Sequence, residues 1–455
     1  MRAMINVLAV AIMLLSLVSC KKYLAGVAQK DWVVPSEIGD FQKMLDNPRL
    51  GIFRRLSDYS SDDIIFSPSV FSGLEPTYKA LYIWSPSIFD RVGLDWNLAY
   101  QNVFYANNVL EGIANIKATS ENLSERNYLL GQALFIRANN FYNLQETFGQ
   151  VYHSENASTK LGIPLKLSSS FNGKYVRATV EETYDQIIGD LSKALVLLPE
   201  KIDLTHRFRP SKVAVFALLS RIYLTIGNYE KAEECASEGL KLYNEILDYN
   251  TLTLSLGDSN PFKFPVNEVF YFSLDGSGNP VQDSDLGVDP DLYNTYEETD
   301  LRKKFFFKVN KLGDPYFFGN YSGLIARNFN GFATDELMLI QSECLARTGQ
   351  LQRAMSVLNH LLVKRFKAGT FVPRTSEHKD QALLMILSER RKELVLRGGI
   401  RWTDLRRLNK GPLTQKTLKR ILGDNVYELK PNDPKYVFPI PKEEIELSGI
   451  VQNPR

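Results

Sequence analysis

The chain has 455 residues, with 54 Lys and Arg against 52 Asp and Glu, a formal net charge of +2 and charges of both signs interspersed. That balance lacks the concentrated positive stripe a nucleic-acid partner requires. Three cysteines and four histidines in no close grouping give neither a disulfide framework nor a zinc pattern, so no metal or cofactor is expected.

Residues 1–19 read as an export signal. Arg2 precedes an apolar run from Ile5 to Val18 that is shorter than the about 20 residues a spanning helix needs. The run ends in Leu17-Val18-Ser19-Cys20, which predicts cleavage before Cys20 and lipid attachment to its thiol. Lys21 and Lys22 follow where an aspartate would retain the protein in an inner membrane, so the expected location is the outer membrane. The body, 20–455, contains no further run of about 18 apolar residues.

The first block, 58–95, carries Asp62, Asp63, Phe66, Phe71, Tyr78, Tyr82, Trp84 and Phe89 among Pro68, Gly73, Pro76 and Pro86. Aromatic side chains on loops are good ligand platforms, so Tyr78, Tyr82 and Trp84, with Asp62 and Asp63 as polar neighbours, are ligand-binding candidates. The next run, WNLAYQNVFYANNVLEGI, places Trp96, Tyr100 and Asn107 on one packed helix face. A second amphipathic helix is expected over Glu125–Thr147. A third is expected from about Val180 to Leu198, with Thr179 as N-cap, Glu182 three positions on, and Pro199 limiting its end.

Two stretches, 210–247 and 333–366, repeat one pattern. In each, a helix ends at a glycine, Gly227 or Gly349, and the next helix carries an alanine five residues later, Ala232 or Ala354. Tyr223 and Leu345 stand nine residues before those alanines, the spacing of tetratricopeptide-type helical hairpins. Cys235 and Cys344 fall on these hairpins as packing thiols.

Between them, 251–330 loses the helical period and becomes aromatic, with VFYFSL and KKFFFKVNKLGDPYFFGNYSG. Long irregular segments of this density are functional surfaces or satellite cores. Tyr316 and Phe317 join the ligand candidates, with Phe318 and Tyr321 beside them. Towards the C-terminus, Arg390, Arg391, Arg401 and Arg406 alternate with Glu389, Glu393 and Asp404 in the pattern of an ion-paired helix surface, and Trp402 reads as core. For catalysis, Asp62 with Glu297 or Asp300 is the only carboxylate pairing that suggests itself, and the chain has no nucleophile elbow, zincin helix or phosphate loop.

The signal ending at Cys20, Trp96 to Tyr100 with Asn107, GQALFIRANNFYNLQETFG, the hairpin from Pro210, SERRKELVLRGGIRWTDLRRL and the closing YVFPIPKEEIELSGIVQNPR occur together and in order. In this the chain resembles the RagB/SusD family of outer-membrane nutrient-binding lipoproteins of Bacteroidota. The resemblance implies an all-α, SusD-like fold of tetratricopeptide-like helical hairpins with long loop-rich insertions and minor short strands. It implies a surface-exposed, lipid-anchored protein, not an enzyme, that binds an oligosaccharide and delivers it to a SusC-like TonB-dependent outer-membrane transporter. Only four tryptophans, Trp32, Trp84, Trp96 and Trp402, are present. A peptide ligand, and more remotely a glycoside hydrolase or a scaffold without ligand, therefore stay open as alternatives.

Overall fold

The helices are long where the apolar period is sustained and short where proline or glycine punctuates it. In a computed structural model, the structure describes residues 35–53, 56–88, 94–170, 173, 175–255, 257, 260–276, 281–324 and 327–455. Cys20, the export signal, Trp32 and Phe89 lie outside these residues.

Helix α1 (Ile38–Leu45) precedes two short helices, α2 (Pro68–Gly73) and α3 (Pro76–Tyr82), in the first block. The expectation of loops there is corrected, because Pro68 and Pro76 each stand at the first turn, where a missing N–H costs nothing and the fixed φ favours helix. Helices α4 (Leu94–Asn115) and α5 (Leu123–Phe148) form a long packed pair with α6 (Val180–Leu197) beside them. At the start of α6 the Glu182 amide donates to Thr179 Oγ1 at 3.1 Å and the Thr179 amide donates to Glu182 Oε2 at 2.8 Å, a reciprocal cap.

The hairpins are α7 (Lys212–Ile226) with α8 (Tyr229–Leu242), and, further on, Thr334–Arg347 with Leu351–Leu362. Their corners are built alike. Gly227 has φ 85° and donates to the Leu224 carbonyl, while the Asn228 amide donates to Tyr223 O at 2.9 Å. Gly349 has φ 84° and donates to Ala346 O, while the Gln350 amide donates to Leu345 O at 2.8 Å. This left-handed closure satisfies the last helical carbonyls, and a Cβ would strain it. Ala232 and Ala354 are fully buried. Cys344 is buried and Cys235 only partly so, and both are free thiols.

The insertion 251–330 holds the short helices α9 (Pro290–Tyr293) and α10 (Leu301–Phe306), again started by a proline and by an Asp300 cap. The hairpin helices that follow it are α11 (Thr334–Arg347) and α12 (Leu351–Leu362), then come α13 (Lys379–Glu393), α14 (Ile400–Leu408) and α15 (Lys442–Ser448). The strands are β1 (Ile64–Ile65), β2 (Leu161–Pro164), β3 (Arg177–Thr179), β4 (Val269–Tyr271), β5 (Gly287–Val288), β6 (Phe307–Val309), β7 (Pro315–Phe317), β8 (Phe332–Ala333), β9 (Leu418–Leu422) and β10 (Asn425–Leu429). One sheet has the order β1-β5-β7-β6, and the remaining strands pair in twos, β2 with β3, β4 with β8 and β9 with β10.

The C-terminal passage closes on the helical bundle. Asn453 Nδ2 donates to the carbonyls of Phe148 and Phe438, each at 2.8 Å, and Asn453 Oδ1 accepts from Arg177 Nη1 at 2.9 Å. Asn107 of α4 performs a similar task. It donates to the carbonyls of Lys166 at 2.9 Å and Ser168 at 3.1 Å, and Arg137, itself paired with Asp190, fixes its amide oxygen at 3.0 Å. Within the described residues no helix is long and apolar enough to cross a membrane.

Candidate functional site

The two aromatic blocks, far apart in sequence, meet in one sheet. Ile64 of β1 pairs antiparallel with Val288 of β5, Gly287 pairs with Tyr316 of β7, and Phe317 of β7 pairs with Phe307 of β6. Behind the sheet lies one aromatic core containing Phe66, Tyr82, Tyr249, Phe262, Tyr296, Phe305, Phe306, Phe307 and Tyr321. Edge-to-face packing locks it, as between Tyr249 and Phe262 at 5.4 Å and between Tyr296 and Phe307 at 5.1 Å.

The first-block candidates turn inward. Tyr82 is 3% exposed, its hydroxyl accepts from the Phe66 amide at 3.1 Å, and the Arg420 guanidinium lies 4.1 Å from its ring centroid. Trp84 is 2% exposed and donates its indole N–H to Ser60 O at 2.9 Å. Neither ring has a free face for a ligand, so their expected platform role is corrected. Both belong to the short helix α3 and the turn after it, and burial of large apolar area outweighs exposure there. Tyr78 keeps part of its surface and meets Tyr59 edge-on at 5.0 Å.

Asp62 and Asp63 are also buried, and their partners come from α13, α14 and the segment after α14. Arg401 donates two hydrogen bonds to Asp62, at 2.6 and 2.8 Å, and Lys416 Nζ donates a third at 2.8 Å. Arg391 Nε donates to Asp63 Oδ1 at 2.9 Å while Nη2 of the same guanidinium reaches Asp289 at 3.1 Å. Burial raises the Asp62 carboxyl, but Arg401 and Arg391 outweigh it and hold the group well below the usual range. For Asp63 burial prevails over the same two arginines and its carboxyl is raised. These carboxylates are the internal ties of the site and not its contacts, which corrects their place among the ligand candidates. The arginine-rich stretch is corrected in the same sense. Arg390, Arg406, Glu389, Glu393 and Asp404 are paired as expected, yet they are buried and not on a helix surface.

A catalytic pairing of Asp62 with Glu297 or Asp300 has no geometric support. Asp300 binds Arg302 at 2.7 Å in the interior and Glu297 is paired with Arg374. Glu268, Asp335 and Glu393 offer three carboxylate oxygens within 4.8 Å of one another. Arg365 already bridges Glu268 and Glu393, each at 2.7 Å, and Arg397 holds Asp335 at 2.6 Å. Guanidiniums thus occupy the donor set that a metal ion would use.

Tyr316 and Phe317 remain half-buried on β7, with the Phe317 ring 5.8 Å from Phe306, while Phe318 and Tyr321 are buried. Phe71 and Tyr293 are half-buried against the same core. Tyr293 escaped the sequence reading, and its only signal was the Asp289-Pro290 helix start three residues earlier. At the end of β6 Val309 is exposed, and in the turn beyond it Leu312 extends outward at 81% exposure. The arrangement offers ring edges and faces on a stiff, charge-tied base, suited to stacking and hydrogen bonding.

Residues 71–224 match a family model described as starch-binding, associating with outer membrane, and residues 334–455 match the SusD family model. The SusD-like protein P2 of Formosa agariphila is 24% identical over 422 residues, covering 79% of each chain. A SusD superfamily protein of Bacteroides thetaiotaomicron superposes with a TM-score of 0.74 at 22% identity, over 92% of this chain and 100% of that one. A SusD-like carbohydrate-binding protein of Bacteroides vulgatus superposes with a TM-score of 0.69 at 20% identity, over 91% and 97%.

Proposed function

The chain belongs to the RagB/SusD family, and on that premise we propose that it is a lipid-anchored surface protein that captures an oligosaccharide and does not cleave it. It passes the ligand to a SusC-like TonB-dependent transporter of the outer membrane. The observation that most supports capture is the joining of both aromatic blocks through β1, β5 and β7, which sets half-buried Tyr78, Tyr316, Phe317, Phe71 and Tyr293 around one rigid core. Binding to preformed ring faces loses little conformational freedom, and several modest contacts along a polymer add up to useful avidity while each still releases.

Calorimetry of the soluble form beginning at Lys21, against a panel of glycans and peptides, tests the reading. A glycan is expected to bind without appearance of shortened products. Tyr316→Ala together with Phe317→Ala is expected to weaken it by at least about tenfold, about 1.4 kcal/mol. Unchanged affinity would place the glycan elsewhere. Binding of peptides with failure of every glycan would replace the saccharide by a peptide, and shortened products would restore the hydrolase alternative.

A further inference from the structure

A second concave surface lies away from that sheet, between α4 and the segment that follows β2. It is a cleft of about 530 Å³ walled by Trp96, Tyr100, Phe104, Lys166, Tyr175 and Glu444, within the about 300 to 1,000 Å³ of small-molecule sites. We infer that this cleft is a distinct binding site for an acidic sugar unit, a uronate or a sulfate ester, with Lys166 receiving the anionic group.

The segment is held to α4 by its backbone, so the cleft is built in advance. Tyr100 Oη donates to Pro164 O at 2.7 Å, Asn107 ties the carbonyls of Lys166 and Ser168, and Glu111 accepts from the Ser169 amide at 2.9 Å and from its hydroxyl. Three successive attachments along one helix face hold residues 164–169 in line. The Lys166 ammonium then lies 4.7 Å from the Tyr100 ring centroid and 5.6 Å from that of Tyr175. Among the described residues it forms no ion pair. Ring faces hold a cation in place but return less than an anion would.

The rest of the lining suits a sugar. Phe104 and Tyr175 are half-buried and leave apolar surface for a ring, and Asn97 and Gln101 are exposed on the same helix as amide donors and acceptors for hydroxyls. Glu444 accepts the Trp96 indole N–H at 3.2 Å and stands as the one carboxylate of the lining. It repels an anion and accepts from hydroxyls, so it sets the direction of the ligand, with the acidic group at Lys166 and neutral hydroxyls towards Glu444.

The experiment titrates the protein beginning at Lys21 with a short oligogalacturonate, a sulfated galactan oligomer and a neutral galacto-oligosaccharide of the same length. Lys166→Met keeps the stem over Tyr100 and removes only the charge, and Tyr175→Ala removes a ring; both positions are partly exposed, and circular dichroism checks the fold. One acidic oligomer is expected to bind, to weaken as salt rises, and to lose roughly tenfold or more in Lys166→Met, as for one charge-assisted hydrogen bond. The neutral oligomer is expected to be indifferent to Lys166→Met. Whichever acidic oligomer responds identifies the group. Absence of binding by both acidic oligomers, or their binding with unchanged affinity in Lys166→Met and Tyr175→Ala, overturns the inference. An acidic oligomer weakened only by Tyr316→Ala also overturns it while leaving the sheet-face reading intact.

Discussion

One carboxylate with three cationic partners cannot lose its charge cheaply. Asp62 is buried among Arg401, Arg391 and Lys416, so Asp62→Asn would leave guanidiniums desolvated without compensation. A loss of roughly 3 to 5 kcal/mol in urea unfolding is expected; a loss under about 1 kcal/mol would mean that water reaches the site. Glu268 works in the opposite direction. Burial, against the pull of Arg365 and reinforced by the Asp335 and Glu393 charges, raises its carboxyl from 4.5 to about 7. Between those values the folded protein keeps a proton that the unfolded chain has released, so stability falls as pH rises through that window, by roughly 3 kcal/mol in all. Unfolding free energies measured from pH 4.5 to 8 are expected to show that decline, and Glu268→Gln to flatten it. Sequence spacing disclosed that these charges pair, because Glu389, Arg390, Glu393 and Arg401 alternate along helices. It could not disclose that they are interior, because the partners Asp62, Arg302 and Arg365 come from distant segments whose position only the fold supplies.

Elements whose signals are local were legible. The Thr179 and Glu182 cap, the apolar period of α5 and the two glycine corners each depend on residues within a few positions, and the helices begin and end where those signals stand. Thr179→Ala is expected to cost about 0.5 to 2 kcal/mol, the value of a lost N-cap. Ala232→Trp, at a fully buried alanine of the first hairpin, is expected to cost at least roughly 1 to 3 kcal/mol by overpacking, and thermal unfolding of each variant checks both. The first block was less legible. Its prolines and glycine suggest loops and exposed rings, whereas Pro68 and Pro76 start helices and Tyr82 and Trp84 are buried. The sheet was not legible at all, since β1 and β5 have two residues each and pair across nearly half the chain. Tyr78, Tyr316 and Phe317 are the sequence candidates that keep exposed surface.

The molecule as a whole is tied from its first block to its last segment. Trp96 bonds Glu444, Arg177 bonds Asn453, and Arg420 binds the carbonyls of Ile64 and Ser61. If Cys20 carries the lipid, metabolic labelling with palmitate marks the protein and Cys20→Ala releases the body from membranes; an unlabelled, fully released wild type would refute the anchor. Gentle detergent extraction with affinity capture is expected to recover a SusC-like transporter, and recovery of the lipoprotein alone would count against that partner.

The bond between Asp62 and Arg401 joins residues 339 positions apart, and if the chain is exported as its leader implies, this span sets an order of events. A polypeptide that crosses a membrane amino end first delivers its 58–65 stretch long before the arginines that neutralise it. Until then those carboxylates stay hydrated, β1 has no β5 to pair with, and the aromatic core has no floor. The early part of the chain therefore remains pliable enough to thread, and the arrival of the tail is the event that lets the front half settle.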